Sequence, residues 1–82
     1  MSLFVDTSAF YAAADESDDD NGRALAILAS AEGLVTTDHV LAETWLLLRR
    51  RLGRAAAHRH LAGIRSGILR LEIVGRADLD VR

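Results

Sequence analysis

The sequence predicts a three-layer α/β fold around a largely parallel sheet. Three observations point there: apolar runs too short for helices, segments of helical periodicity between them, and cap or turn residues at the joints. The resulting order is βααβααβα. No internal repeat, low-complexity linker or second domain interrupts it.

The first element is 2–6, Ser-Leu-Phe-Val-Asp, an apolar run that ends on a carboxylate and fits a strand buried on both faces. Thr7 and Ser8 are placed to cap a helix through Ala14. The stretch 15–20 carries five acids in six positions and ends that helix. Asp19, Asp20 or Asn21 then caps a second helix over 22–32, where acids complement the helix dipole. Its apolar residues Ala24, Leu25, Ile27, Leu28 and Ala31 follow the helical period.

Gly33 stops that helix, and 34–36 reads as a second strand. Thr37 or Asp38 caps a third helix through Leu52, with apolar stripes at Leu41, Trp45, Leu48, Leu52 and at Val40, Leu47. Gly53 breaks it, and a fourth helix over 54–66 completes a helical hairpin. A third strand follows over 68–74, and 76–82 reads as the opening of a fifth helix. Because the sequence stops inside that element, residues 1–82 are expected to be the N-terminal part of a single domain.

Composition narrows the chemistry. With 82 residues, a chain buries only about 60% of its unfolded surface, so the core is marginal on its own. There is no cysteine, which excludes disulfides and thiolate metal sites. Any metal must be held by oxygen or imidazole. No apolar run is long enough to span a bilayer and no secretory leader opens the sequence, so a cytoplasmic protein without membrane contact is expected. The net charge of -2 does not by itself identify a nucleic-acid partner.

Two carboxylates stand out. Asp6 closes the first strand, and in open α/β sheets ligands gather at the carboxyl ends of strands. Capping the next helix is an equally good account of Asp6 alone. Glu43 lies between Leu46 and Leu47 on the third helix and shares an apolar stripe, so it calls for a metal or an arginine such as Arg50 as partner. Together they suit Mg²⁺ or Mn²⁺, which take hard oxygen ligands and support phosphodiester chemistry. The run Asp18-Asp19-Asp20 reads as solvated capping, and Asp38 as a cap. Asp78 and Asp80 lie too near the end of the sequence to be assigned.

His58 and His60, two apart on a helix, point to nearly opposite sides and cannot chelate one ion. His60 shares the apolar side and is expected at an interface edge, while His39 stands alone at a helix start. Arg49, Arg50, Arg51 and Arg54 suit the C-terminal end of a helix dipole, with contact to RNA phosphates as the sharper alternative.

Val5-Asp6-Thr7-Ser8-Ala9-Phe10-Tyr11-Ala12 resembles the opening of the VapC-type PIN-domain ribonuclease toxins. Val35-Thr36-Thr37-Asp38-His39-Val40-Leu41-Ala42-Glu43-Thr44 resembles the segment that carries their second acidic residue. The resemblance runs over essentially the whole sequence. It implies a PIN-like three-layer fold and a Mg²⁺- or Mn²⁺-dependent endoribonuclease acting on tRNA or another structured RNA. It makes Asp6 and Glu43 the catalytic metal ligands, with Ser8 matching a hydroxyl near the first of them. It also implies a cognate VapB-like antitoxin. Members of that family continue well past residue 82 and draw further acidic residues from there. An incomplete sheet leaves open edges, so a homodimer is expected.

Two other readings compete. An aspartyl-phosphate phosphatase needs a second Asp two positions after its nucleophile, and here that position is Ser8. A non-catalytic piece that binds an antitoxin, or a second copy of itself, is the stronger rival.

Overall fold

The computed structural model describes residues 2–66 and 70–75. Three strands, β1 (Ser2–Phe4), β2 (Gly33–Thr37) and β3 (Leu71–Val74), form a parallel sheet in the order β1-β2-β3. Four helices, α1 (Thr7–Ala14), α2 (Asn21–Ser30), α3 (Asp38–Leu52) and α4 (Arg54–Arg65), fill the connections. The register sets Leu3 beside Leu34 and Leu34 beside Leu71. The expected α/β class and the βααβααβ order are both present. The third strand's expected residues 68 and 69, and the fifth helix over 76–82, lie outside the described residues.

The core forms where these elements converge. Val5, Phe10, Leu28, Leu34 and Val40 are buried together, with Ala9, Ala13, Ala31, Leu41, Ile64 and Leu71 packed around them. Burial of β2 alternates, so Leu34 and Thr36 point inward while their neighbours are only partly covered. On α3 the buried line is Val40, Thr44 and Leu48, spaced by one turn. Gly53 has φ of +96°, a left-handed conformation that glycine adopts without strain, and there the chain turns from α3 into α4.

β1 is not buried on both faces as expected: Leu3 and Phe4 are 40% and 56% exposed, and Val5 alone is sealed. The reason is its place at the end of the strand order among the described residues. On α2, Leu25 and Ile27 are exposed although they follow the apolar period. That helix meets the rest mainly along α1, so only Ala24 and Leu28 are covered.

The caps fall among the residues the sequence offered, except that neither Thr7 nor Ser8 caps α1. Asp6, not Thr7 or Ser8, caps α1, because its backbone is still extended while Thr7 is already helical. Thr37 rather than Asp38 caps α3, its hydroxyl accepting from the Val40 amide at 3.1 Å. Asp20 precedes α2 without a side-chain cap bond. Asn21 instead donates to the Ala12 and Ala13 carbonyls at 2.8 and 3.2 Å, closing the end of α1.

His60 lies on the apolar side as expected, half-buried and lining an open groove. Its ring meets the Phe10 ring edge-on at 5.2 Å, and its Nε2 is buried with no hydrogen-bond partner among the described residues. Burial pushes its pKa down. No helix among the described residues is long and apolar enough to cross a membrane.

Candidate metal centre

The position of Asp6 is fixed through the residue before it. The Val5 amide donates to the Val35 carbonyl at 2.8 Å, and the Val5 carbonyl accepts the Thr36 hydroxyl at 2.8 Å. Both polar backbone groups of Val5 are thus tied to β2. Asp6 itself receives the Ser8 hydroxyl and the Ala9 amide on Oδ1, each at 3.0 Å. Among the described residues nothing donates to Oδ2. Capping therefore engages one oxygen of an exposed carboxylate, and no described residue donates to the other.

Glu43 departs from expectation. Its side chain is 54% exposed and has no contact with Arg50; its partners are Thr7 and His39. The α3 backbone packs along Val40, Thr44 and Leu48, and a residue about 100° around the helix from that line reaches water. The Thr7 hydroxyl donates to Glu43 Oε1 at 3.3 Å, and His39 Nε2 stands 3.6 Å from the same oxygen. Thr7 follows Asp6 directly, so this bond ties exposed Glu43 to the residue beside exposed Asp6, at a mouth between the starts of α1 and α3. Buried Thr44 keeps α3 regular there, its hydroxyl donating to the Val40 carbonyl at 2.7 Å.

The other acids are spent elsewhere. The Asp18 carboxylate accepts from the Asp20 amide, and Asp20 pairs with Arg23 at 2.6 Å. Both line an open cavity of about 460 Å³ that also includes Ser8. Asp15 accepts the Ser17 hydroxyl and amide and the Tyr11 hydroxyl; the Ser17 bond first, then Tyr11, holds its pKa below the usual carboxylate range. The Asp15 carboxylate in turn pushes the Tyr11 hydroxyl up. Asp38 is an exposed first-turn residue. Among the described residues no three Asp, Glu, His or Cys side chains converge as a metal cluster.

The donors present fit a hard divalent cation. Two exposed carboxylates with the Thr7 and Ser8 hydroxyls beside them offer hard oxygen donors that suit Mg²⁺ or Mn²⁺, and the His39 imidazole stands next to Glu43. Three contributors were not picked out as such from sequence: Thr7, His39 and Thr36. Thr36 left a signal, a hydroxyl at the inward position two after Leu34 in an otherwise apolar strand. Thr7 and His39 left none, because their contact with Glu43 is made across the fold or depends on which side of α3 is buried.

The PIN-domain family model matches residues 3–79. The chain belongs to the PIN-domain family. Within it, the chain is similar to the 23S rRNA-specific endonuclease VapC20 of Mycobacterium tuberculosis, from strains CDC 1551 / Oshkosh and ATCC 25618 / H37Rv alike. Each is 43% identical over 79 residues, covering 95% of this chain and 60% of the relative. The fold also matches the crystal structure of M. tuberculosis VapC20, described as a sarcin-ricin loop cleaving toxin. That match has a TM-score of 0.76 and 38% identity, over 92% of this chain and 58% of the other. The chain thus spans 60% of the length of the curated relatives it matches. The PIN fold expected from the two acidic segments is the fold found.

Proposed function

We propose that this chain carries the first two acidic ligands of a metal-dependent endoribonuclease of the VapC type. Asp6 and Glu43 are its metal ligands and catalytic carboxylates. The observation that supports this reading is the Thr7 bond to Glu43 at 3.3 Å, which ties Glu43 to the residue beside Asp6. The likeness to a 23S rRNA-specific endonuclease supports RNA as substrate. A structured RNA is the class, a ribosomal stem-loop or a tRNA. The chain corresponds to the N-terminal part of one PIN domain.

Bound Mg²⁺ or Mn²⁺ supplies an activated water and stabilises the oxyanions of in-line phosphodiester displacement. The residues of this chain prepare for that. Asp6 offers Oδ2 while Ser8 and Ala9 occupy Oδ1. Thr7 restrains Glu43 Oε1 toward Asp6. Two carboxylates hold such an ion weakly, so further acidic ligands come from the part of the domain that its relatives have beyond this span. The partners are the RNA, a VapB-like antitoxin that covers the acidic mouth, and a second copy in a homodimer. The setting is the cytoplasm.

One observation favours a second reading, a non-catalytic piece that binds an antitoxin or itself: no three metal-binding side chains converge among the described residues. Metal titration and RNA cleavage separate the two. The chain is expected to bind Mn²⁺ weakly by calorimetry and not to cleave RNA alone. Asp6→Asn and Glu43→Gln each remove that binding, and each removes Mn²⁺-dependent cleavage by a PIN domain that carries the sequence. Cleavage retained by both variants would falsify the proposal.

A further inference from the structure

From Thr44 to Leu71 the sequence holds seven arginines and two histidines and no acid. The fold concentrates part of this charge on one surface. Arg49 and Arg50 are exposed on α3, and His58 is exposed on α4. The Arg49 guanidinium lies 5.4 Å over the Trp45 ring, and the His58 imidazole stacks on that ring at 6.4 Å and 28°. The ion pairs among the described residues join Arg23 to Asp20 and His39 to Glu43, leaving Arg49 and Arg50 without a carboxylate.

Helical geometry connects this surface to the acidic mouth. Glu43, Leu46 and Arg50 share one stripe of α3, and Trp45 and Arg49 share the adjoining one. Both lie away from the buried line of Val40, Thr44 and Leu48. A strand of nucleic acid leaving Glu43 would cross exposed Leu46 and Arg50 before it reached Arg49, Trp45 and His58. The helix dipole accounts for cations at the end of α3. It does not account for planar groups stacked across two helices, or for the absence of acids from Thr44 to Leu71.

We propose that Trp45, Arg49, Arg50 and His58 form a platform for an unpaired segment of RNA, beside the Asp6–Glu43 mouth. This rests on reading the chain as part of an RNA-cleaving enzyme. Arg49 and Arg50 take successive phosphates, and the Arg49–Trp45–His58 stack receives a base, because guanidinium and ring planes accept any base face.

Trp45 is the only tryptophan, so its fluorescence reports on the surface directly. The test titrates this chain with a short RNA stem-loop in EDTA, which removes any contribution from metal. RNA quenches Trp45, and Arg49→Gln with Arg50→Gln weakens binding about tenfold and lowers the slope of log affinity against log salt by about 1.4. Arg49→Lys with Arg50→Lys keeps the slope. His58→Ala weakens binding about threefold and leaves the slope unchanged, since it removes a stacking plane rather than a phosphate contact. Circular dichroism checks that each variant is folded.

Unchanged affinity and slope in the folded Gln variant would overturn the platform. So would a Trp45 surface that light scattering shows closed in a dimer while RNA binds undisturbed. Asp6→Asn separates the two levels: it removes metal binding if the enzyme reading holds, and it leaves RNA binding in EDTA unaltered if the platform holds.

Discussion

At its N-terminus α1 presents Asp6 and Ser8 to solvent, whereas one turn further on Phe10 is sealed against the core and the ring of His60. The two regions treat polar groups oppositely. At the mouth, carboxylates stay wet, and only neutral hydroxyls (Thr36 and Thr44) are buried, each with its hydrogen bond made. Against Phe10 the His60 ring is half-buried, and its sealed Nε2 lacks a partner among the described residues. Keeping charge at the mouth avoids the desolvation of an ion, and satisfied hydroxyls keep the scaffold rigid. The difference teaches that burial alone does not mark a functional ionisable group in this fold. His60, half-buried against Phe10, lies away from the candidate ligands, and those are exposed.

The largest expected effects separate function from folding. Asp6→Asn and Glu43→Gln each lower Mn²⁺-dependent cleavage by a PIN domain carrying this sequence by at least about a hundredfold, the loss of several kcal/mol of charge stabilisation. Neither shifts the denaturant midpoint of the chain appreciably, since Asn caps a helix as well as Asp. Asp6→Ala adds a loss of about 1 kcal/mol from the cap. Phe10→Ala does the reverse, costing about 3–5 kcal/mol by opening a cavity in the main cluster. A site variant that unfolds the chain, with Phe10→Ala leaving its midpoint unchanged, would erase the contrast.

Thr36→Val probes the tie between the two regions. It keeps the shape of a residue that is fully buried and leaves the Val5 carbonyl unpaired. The expected cost is about 1–3 kcal/mol in stability. Because Asp6 follows Val5, Mn²⁺ affinity is also expected to fall, by less than in Asp6→Asn. Equal Mn²⁺ binding by Thr36→Val and the parent, at temperatures where both are folded, would show that Thr36 supports the sheet without positioning Asp6.

Much of this was legible in the sequence, for identifiable reasons. The element order followed from periodicity, and Gly53 marked the α3–α4 break through its φ requirement. Asp6 was legible because a strand end is a position along the chain. The surroundings of Glu43 were misread, since apolar neighbours at Leu46 and Leu47 suggested a buried stripe. Leu46 is in fact 53% exposed, and which stripe of α3 is buried is decided by α1, α4 and the sheet. The exposure of Leu3 and Phe4 was illegible for the same reason: composition indicates an apolar strand, not which neighbours cover it. His60 showed its apolar side in the sequence, but not that its nitrogen would face no partner.

The smallest effect concerns that nitrogen and appears only in the pH dependence. Burial depresses the pKa of His60 in the folded chain, so the unfolded chain binds the proton more readily. Folding is then unaffected by His60 above its unfolded pKa, and stability is lost as pH falls below about 6.5. Arg59, which lines the same groove, adds like charge near any imidazolium that forms there. The Asp15 pKa is also depressed, but its contribution lies lower, persisting until pH falls into and below the carboxylate range. Melting between pH 7 and pH 5 therefore isolates His60. The transition temperature falls over that interval in the parent and stays level in His60→Phe, which keeps a ring against Phe10 and removes the orphan nitrogen. At pH 7 the same variant is expected to gain about 1 kcal/mol, because an unpaired buried polar atom is replaced by an apolar one. An equal fall in both proteins would mean that another group titrates, and that the buried end of α1 is as indifferent to protons as Phe10 itself.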